Sequence, residues 1–131
     1  MSAQTYTTDR LGVPQRIQTY DSQGGANSGV IVAGPATILR LRGVNIAASG
    51  TLWLMVFDAL AVPANASIPL VAPVPIAGGA VGDFDLNGAL GSSGLLGLRL
   101  SKGLVWAAST TAASLTVDAT SSLWVTTRHY F

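Results

Sequence analysis

The chain has 131 residues and no cysteine, which suits one domain and excludes disulfides and thiolate metal sites. Charge is sparse: six Asp and no Glu, six Arg and one Lys, +1 net, without the clustered cations of a nucleic-acid footprint. Arg suits fixed planar pairing and interfaces, whereas Lys and Glu suit open water, so much of this surface is expected to be covered by other protein. The alternative is a neutral, Ser/Thr-rich monomer surface.

The opening MSAQTYTTDR carries no apolar run of the signal-peptide kind, and no window reaches the ~18–20 apolar residues of a membrane helix. A product made in the cytoplasm, without a membrane partner, is expected. Residues 1–28 read as an extended arm, and residues 29–131 as the folded domain. The arm holds two short extended segments, Thr5–Thr8 and 15–20, parted by Gly12 and Pro14 and followed by the loop cluster DSQGGANSG. It pairs along a sheet edge, reaches a neighbour, or stays a partly ordered tail. Tyr6 and Tyr20 are its candidate contact residues.

GVIVA at 29–33 is a short β-branched run, ended by Gly34-Pro35. Residues 36–58 then read ATILRLRGVN–IAASG–TLWLMVFD, expected as a central hairpin. The period of two puts Leu39 and Leu41 on one face, with Ile38, Arg40 and Arg42 on the other. The apolar parity changes after Gly43, which suggests a β-bulge there. Arg40 and Arg42 either pair with carboxylates across a subunit boundary or form a solvated face. Residues 51–57 are apolar on both faces: Trp53, Met55 and Phe57 on one, Leu52, Leu54 and Val56 on the other. Such a strand needs cover on both sides. No amphipathic helix is legible, so the second cover is a loop or another subunit. On the second alternative Trp53, Met55 and Phe57 are interface residues of a homo-oligomer.

PANASIPLVAPVP at 63–75 carries four prolines, which confine it to an edge segment or crossover. Gly78-Gly79 turns the chain. Residues 81–86 alternate, with Val81, Asp83 and Asp85 on one side, and the Gly/Ser-rich 87–97 reads as a loop. Residues 98–100 and 104–108 read as strands around a hairpin-like turn, Ser101-Lys102-Gly103. A Thr/Ala turn, a short strand at 115–117 and a turn at 118–121 follow. The last segment, 123–131, sets Leu123, Val125, Thr127 and His129 against Trp124, Thr126, Arg128 and Tyr130. Eight to ten short strands spaced by turns indicate an all-β sandwich or barrel.

No catalytic constellation is present. The single histidine, His129, reads as a half-exposed strand residue, or as a mild pH sensor at an interface. Asp83 and Asp85 are placed to share a cation, but calcium asks for six or more oxygens, which favours a solvated edge. The glycine stretches lack a phosphate-loop signature. Trp53, Trp106 and Trp124 are flanked by aliphatics and expected in the core; two exposed tryptophans would instead favour a carbohydrate-binding sandwich. No cofactor, metal site or enzymatic activity is expected.

LRGVNIAASGTLWLMVFDALAVPANASIPLVAPVPIAGG, followed by GLRLSKGLVWAASTTAASLTVDATSSLWVTTRHY, resembles small structural proteins of tailed bacteriophages over residues 37–130. The shared features are a strand before an Ala-Gly turn, a strand ending in aromatic-Asp-Ala, a Pro-rich stretch, and a Gly-Leu…Ser-Thr-Thr segment before a final strand. The resemblance implies a virion component with a β-sandwich (jelly-roll-like) fold and no catalytic residues. In particular it implies a capsid decoration, or cement, protein on the capsid surface. Its partners would be the major capsid protein and further copies of itself, as a dimer or trimer. A tail, baseplate or fibre-attachment module and a carbohydrate-binding β-sandwich are the alternatives.

Overall fold

The computed structural model describes residues 5–8, 14–85 and 98–130, which form ten strands. These are β1 (Thr5–Thr8), β2 (Pro14–Asp21), β3 (Ser28–Val32), β4 (Ala36–Asn45), β5 (Thr51–Asp58), β6 (Val74–Ala77), β7 (Val81–Asp85), β8 (Leu98–Leu100), β9 (Leu104–Ser109) and β10 (Leu123–Tyr130). They make an all-β sandwich. The first sheet runs β1-β2-β10-β4-β7, with the short β8 also pairing β4, and the second runs β3-β9-β5-β6. Setting aside β1 and β8, the other eight strands run first-eighth-third-sixth in one sheet and second-seventh-fourth-fifth in the other. That order is the jelly-roll arrangement, two Greek keys wrapped on each other. The 87–97 loop expectation lies outside the described residues.

Two expected hairpins are absent because the chain changes sheets at their turns. β4 and β5 do not pair. β4 sits between β10 and β7/β8 in the first sheet, and β5 between β9 and β6 in the second. The link 46–50 is an arch, held by the buried Asn45. Its Nδ2 donates to the carbonyls of Ile76 (2.9 Å) and Gly50 (3.3 Å), and its Oδ1 accepts from the Ala47 N–H (3.0 Å). Three side-chain bonds satisfy a buried amide that would otherwise be costly. Ser101-Lys102-Gly103 is likewise an arch, from β8 to β9. Asp58 organises it, with its carboxylate accepting the N–H groups of Ser101 (3.2 Å), Lys102 (2.8 Å) and Gly103 (3.2 Å) and the Ser101 hydroxyl (3.2 Å). Residues 115–117 make only an isolated bridge, Val117 to Ser109.

The main core lies between the sheets, from Ile38, Leu41, Leu54, Val56, Ile76, Leu104, Trp106, Leu123 and Val125 among others. Gly43 belongs to it rather than to a bulge. A Cβ there would meet Ile76 Cδ1 at 2.9 Å and Leu54 Cδ2 at 3.3 Å, so the missing side chain lets the sheets approach. The register irregularity of β4 falls earlier, where β10 slips between Arg128 opposite Arg40 and His129 opposite Ile38. It sets Ile38 and Leu41 both inward, while Arg40 and Arg42 face out.

A second, smaller core lies on the outer face of the second sheet: Met55, Phe57, Val105, Ala107 and Leu115, with Trp53, Ala59, Val62 and Val117 packed against it. The chain's own loops roof it. They are stitched by the Ala66 N–H to the Leu115 carbonyl (2.7 Å), the Leu115 N–H to the Ser67 carbonyl (2.8 Å) and the Val117 N–H to Asn65 Oδ1 (3.0 Å). Of the two covers open for the doubly apolar β5, a loop and another subunit, the structure shows a loop.

Candidate functional site

Among the described residues the outer face of the first sheet has no such roof, and its pairing register arranges side chains in rows. Val81, Val44 and Trp124 lie in one row across β7, β4 and β10. Asp83, Arg42, Thr126 and Asp21 form the next, which reaches β2, and Asp85, Arg40, Arg128 and Thr19 hold the register positions of the one after. Trp124 is 41% exposed and Val81 57%. On β10 the inward residues fill the core, so by alternation Trp124, Thr126 and Arg128 face away.

Among the described side chains, three arginines and two aspartates organise the face. Asp83 Oδ2 lies 2.8 Å from Arg40 Nη2 and 3.4 Å from Arg42 Nη2. The hydrogen bond from Arg40 is the largest influence on Asp83 and, with the charge of both guanidiniums, holds its carboxyl below the usual value despite partial burial. Asp21 Oδ1 accepts the Trp124 indole N–H at 2.6 Å and the Gln23 N–H at 2.7 Å; these two bonds, the indole's first, lower its pKa. The Trp124 ring is thereby pinned from its edge. Between β2 and β4, over β10, runs an open groove of about 350 Å³ lined by Thr19, Asp21, Arg40, Arg42, Thr126 and Arg128 together with Tyr20 and Thr127.

The expected contact residues are divided by this structure. Arg40 and Arg42 share the open face, and their described carboxylate partner, Asp83, is in the same chain. Met55 and Phe57 are buried beneath the loops, and Trp53 is half-buried beside them. Tyr20 points inward to the main core, where its hydroxyl lies 3.4 Å from the Trp106 indole N–H. Tyr6 pairs opposite Arg16 through the backbone, and its side chain lies outside the described residues. β2, within the segment read as an arm, is laid along β10 over Ile17–Asp21.

Two further placements differ from expectation. Trp124 is at the surface rather than in the core. His129 is buried, at 3% exposure, with Nδ1 3.0 Å from the Thr127 hydroxyl. Asp83 is exposed on the edge strand, as expected, and is ion-paired there as well. Among the described residues no group of three or more His, Cys, Asp or Glu side chains is gathered as a metal would require. Arg128 and Asp21 were not singled out from the sequence, and Trp124 was assigned to the core. The alternation did place Trp124 and Arg128 on one side of the last strand, but that side is identified as the solvent side only once β4 and β2 flank it.

No protein-family model, no curated protein and no solved structure matches this chain.

Proposed function

We propose that this is a non-enzymatic structural protein that docks on a protein lattice through the outer face of its first sheet. By the resemblance given above, the lattice is the capsid of a tailed bacteriophage and the chain a decoration protein. The observation that carries the reading is the composition of that face. A pinned, exposed Trp124 and the apolar Val44 and Val81 adjoin Arg40, Arg42 and Arg128, and no Lys or Glu stands among them. Tryptophan and arginine are the residues enriched at protein–protein contacts, and Lys and Glu those depleted. The jelly roll adds support by analogy of fold, since viral capsid proteins use it repeatedly. The doubly apolar β5 adds none, because the chain covers it.

The test is co-sedimentation of the purified chain with shells assembled from the major capsid protein of the same genome. Saturable binding at a fixed ratio per capsomer, weakened at least tenfold by Trp124→Ala, is the expected result; the factor is what loss of a central tryptophan anchor costs, about 1.4 kcal/mol or more. Absence of binding, or binding indifferent to this substitution, refutes the reading. A sugar-binding role is the second reading, favoured by the same Trp124 ring and by the use of jelly rolls in lectins. Quenching of Trp124 fluorescence by a soluble glycan, absent with shells, would decide for it.

A further inference from the structure

We propose that the groove over β10 receives a carboxylate side chain of a protein partner, gripped by Arg128 and Arg42. This rests on the docking reading above and names the chemistry of the partner. Arg128 lies directly opposite Arg40 in the β10–β4 register. Like charges facing each other across strands destabilise a sheet, and both side chains point away from the core, so packing does not explain the pair. Of the carboxylates on this face whose side chains are described, Asp83 binds Arg40 and Arg42 from the β7 side, and Asp21 takes the Trp124 and Gln23 N–H groups. Among the described side chains the ion pairs are those two with Asp83, and Arg128 has none there.

Thr126 and Thr19 are short, and this opens the groove beside Arg128, with their hydroxyls available as further donors. A volume of about 350 Å³ gives room for a side chain and its neighbours. Asp83 and Asp21 flank the arginines on either side, which disfavours a continuous polyanion such as a nucleic-acid backbone and favours one isolated negative group. Planar, bidentate recognition of a carboxylate is what arginine, rather than lysine, provides.

The probe is a blocked pentapeptide with a single central glutamate among glycine and serine, titrated into the full chain while backbone amide shifts are followed. The same peptide with glutamine in place of glutamate, and inorganic phosphate, serve as controls. Saturable shifts at Thr19, Thr126 and Arg128 with the glutamate peptide alone are expected. Arg128→Gln should weaken binding about fivefold or more, the worth of one charge-assisted contact, without lowering the melting temperature, since a like-charge pair is relieved. No shift at these amides up to about 5 mM peptide, a limit weaker than a single such site should show, overturns the inference. So does equal binding by Arg128→Gln, or a response to phosphate as strong as to peptide, which would mark a small-anion site. Shells that bind while the glutamate peptide does not would remove this inference alone. Failure of both would remove the docking reading as well.

Discussion

His129 should make the fold acid-sensitive in a pH range where the perturbed carboxylates do not act. It lies on the inner side of β10, opposite Gln18 of β2 and Ile38 of β4. Burial pushes its pKa from 6.5 down to about 4. The unfolded chain therefore takes up a proton near pH 6.5, while the folded chain does not until about pH 4. Between those values the unfolded state holds more protons, so stability rises with pH. It is complete above 6.5 and is lost progressively as the pH falls toward 4. The linkage relation gives a loss of about 2 kcal/mol at pH 5 and about 3 kcal/mol at pH 4. Asp21, Asp58 and Asp83 have the opposite sense of dependence on charge. Their pKa values lie below 3.8, so the stability they add is present above that value and is lost only at lower pH.

Urea unfolding measured from about pH 7.5 to about pH 4.5 tests this. With a slope of about 2 kcal/mol per molar urea for a chain of this size, the midpoint should fall by about 1 M between pH 7.5 and 5. His129→Gln retains a hydrogen-bonding side chain beside Thr127 but cannot titrate, and should flatten the profile. A native midpoint that does not move over this range, or an equal fall in the variant, would refute the argument.

Asp58→Ala should cost about 2 kcal/mol, since three backbone donors of the 101–103 arch lose a charged acceptor and regain only water; the melting temperature should drop by about 8 °C in calorimetry. Met55→Ala should cost about 2–4 kcal/mol in chemical unfolding while the mass by light scattering stays unchanged, because the loops and not a partner bury it; unaltered stability with an altered mass would return this face to an interface. Asn45→Leu should cost about 2–3 kcal/mol and raise protease cleavage within residues 46–50, since it strands the carbonyl of Ile76 and the N–H of Ala47.

The strands were legible and their partners were not. Alternation located β4, β5, β7 and β10 closely, and it separated Met55 and Phe57 from Leu54 and Val56 correctly, because a period of two is set by the pleat alone. Pairing is set by which inner faces fit together, and a jelly roll sends most successive strands to opposite sheets. The usual expectation that neighbours in sequence pair therefore failed at 46–50 and at 101–103. Gly43 misled for a related reason: a glycine that makes room for Ile76 and one that makes a bulge look alike in sequence. Arg40 and Arg42 were found by pattern. Arg128 and Trp124 needed the knowledge that β10 lies between β2 and β4.

The two outer faces of the sandwich have been given opposite fates by their loops. On the second sheet, residues around Ala64–Ser67 and Leu115 hydrogen-bond across Met55 and Phe57, and the aliphatics there become core. On the first, the described loops leave β10 and β4 open, and the residues there are Arg, Thr, Asp and a tryptophan held at its edge. Because outward and inward residues alternate along β10, side chains on the open face can change without touching Leu123 or Val125 beneath. Binding and stability should therefore separate under mutation. Changes at Trp124, Arg42 or Arg128 should leave unfolding within about 0.5 kcal/mol of the native chain while altering what the face holds. Changes at Met55, Asn45 or His129 should do the reverse. A protein whose first sheet merely faced solvent would show the second class of effect and not the first.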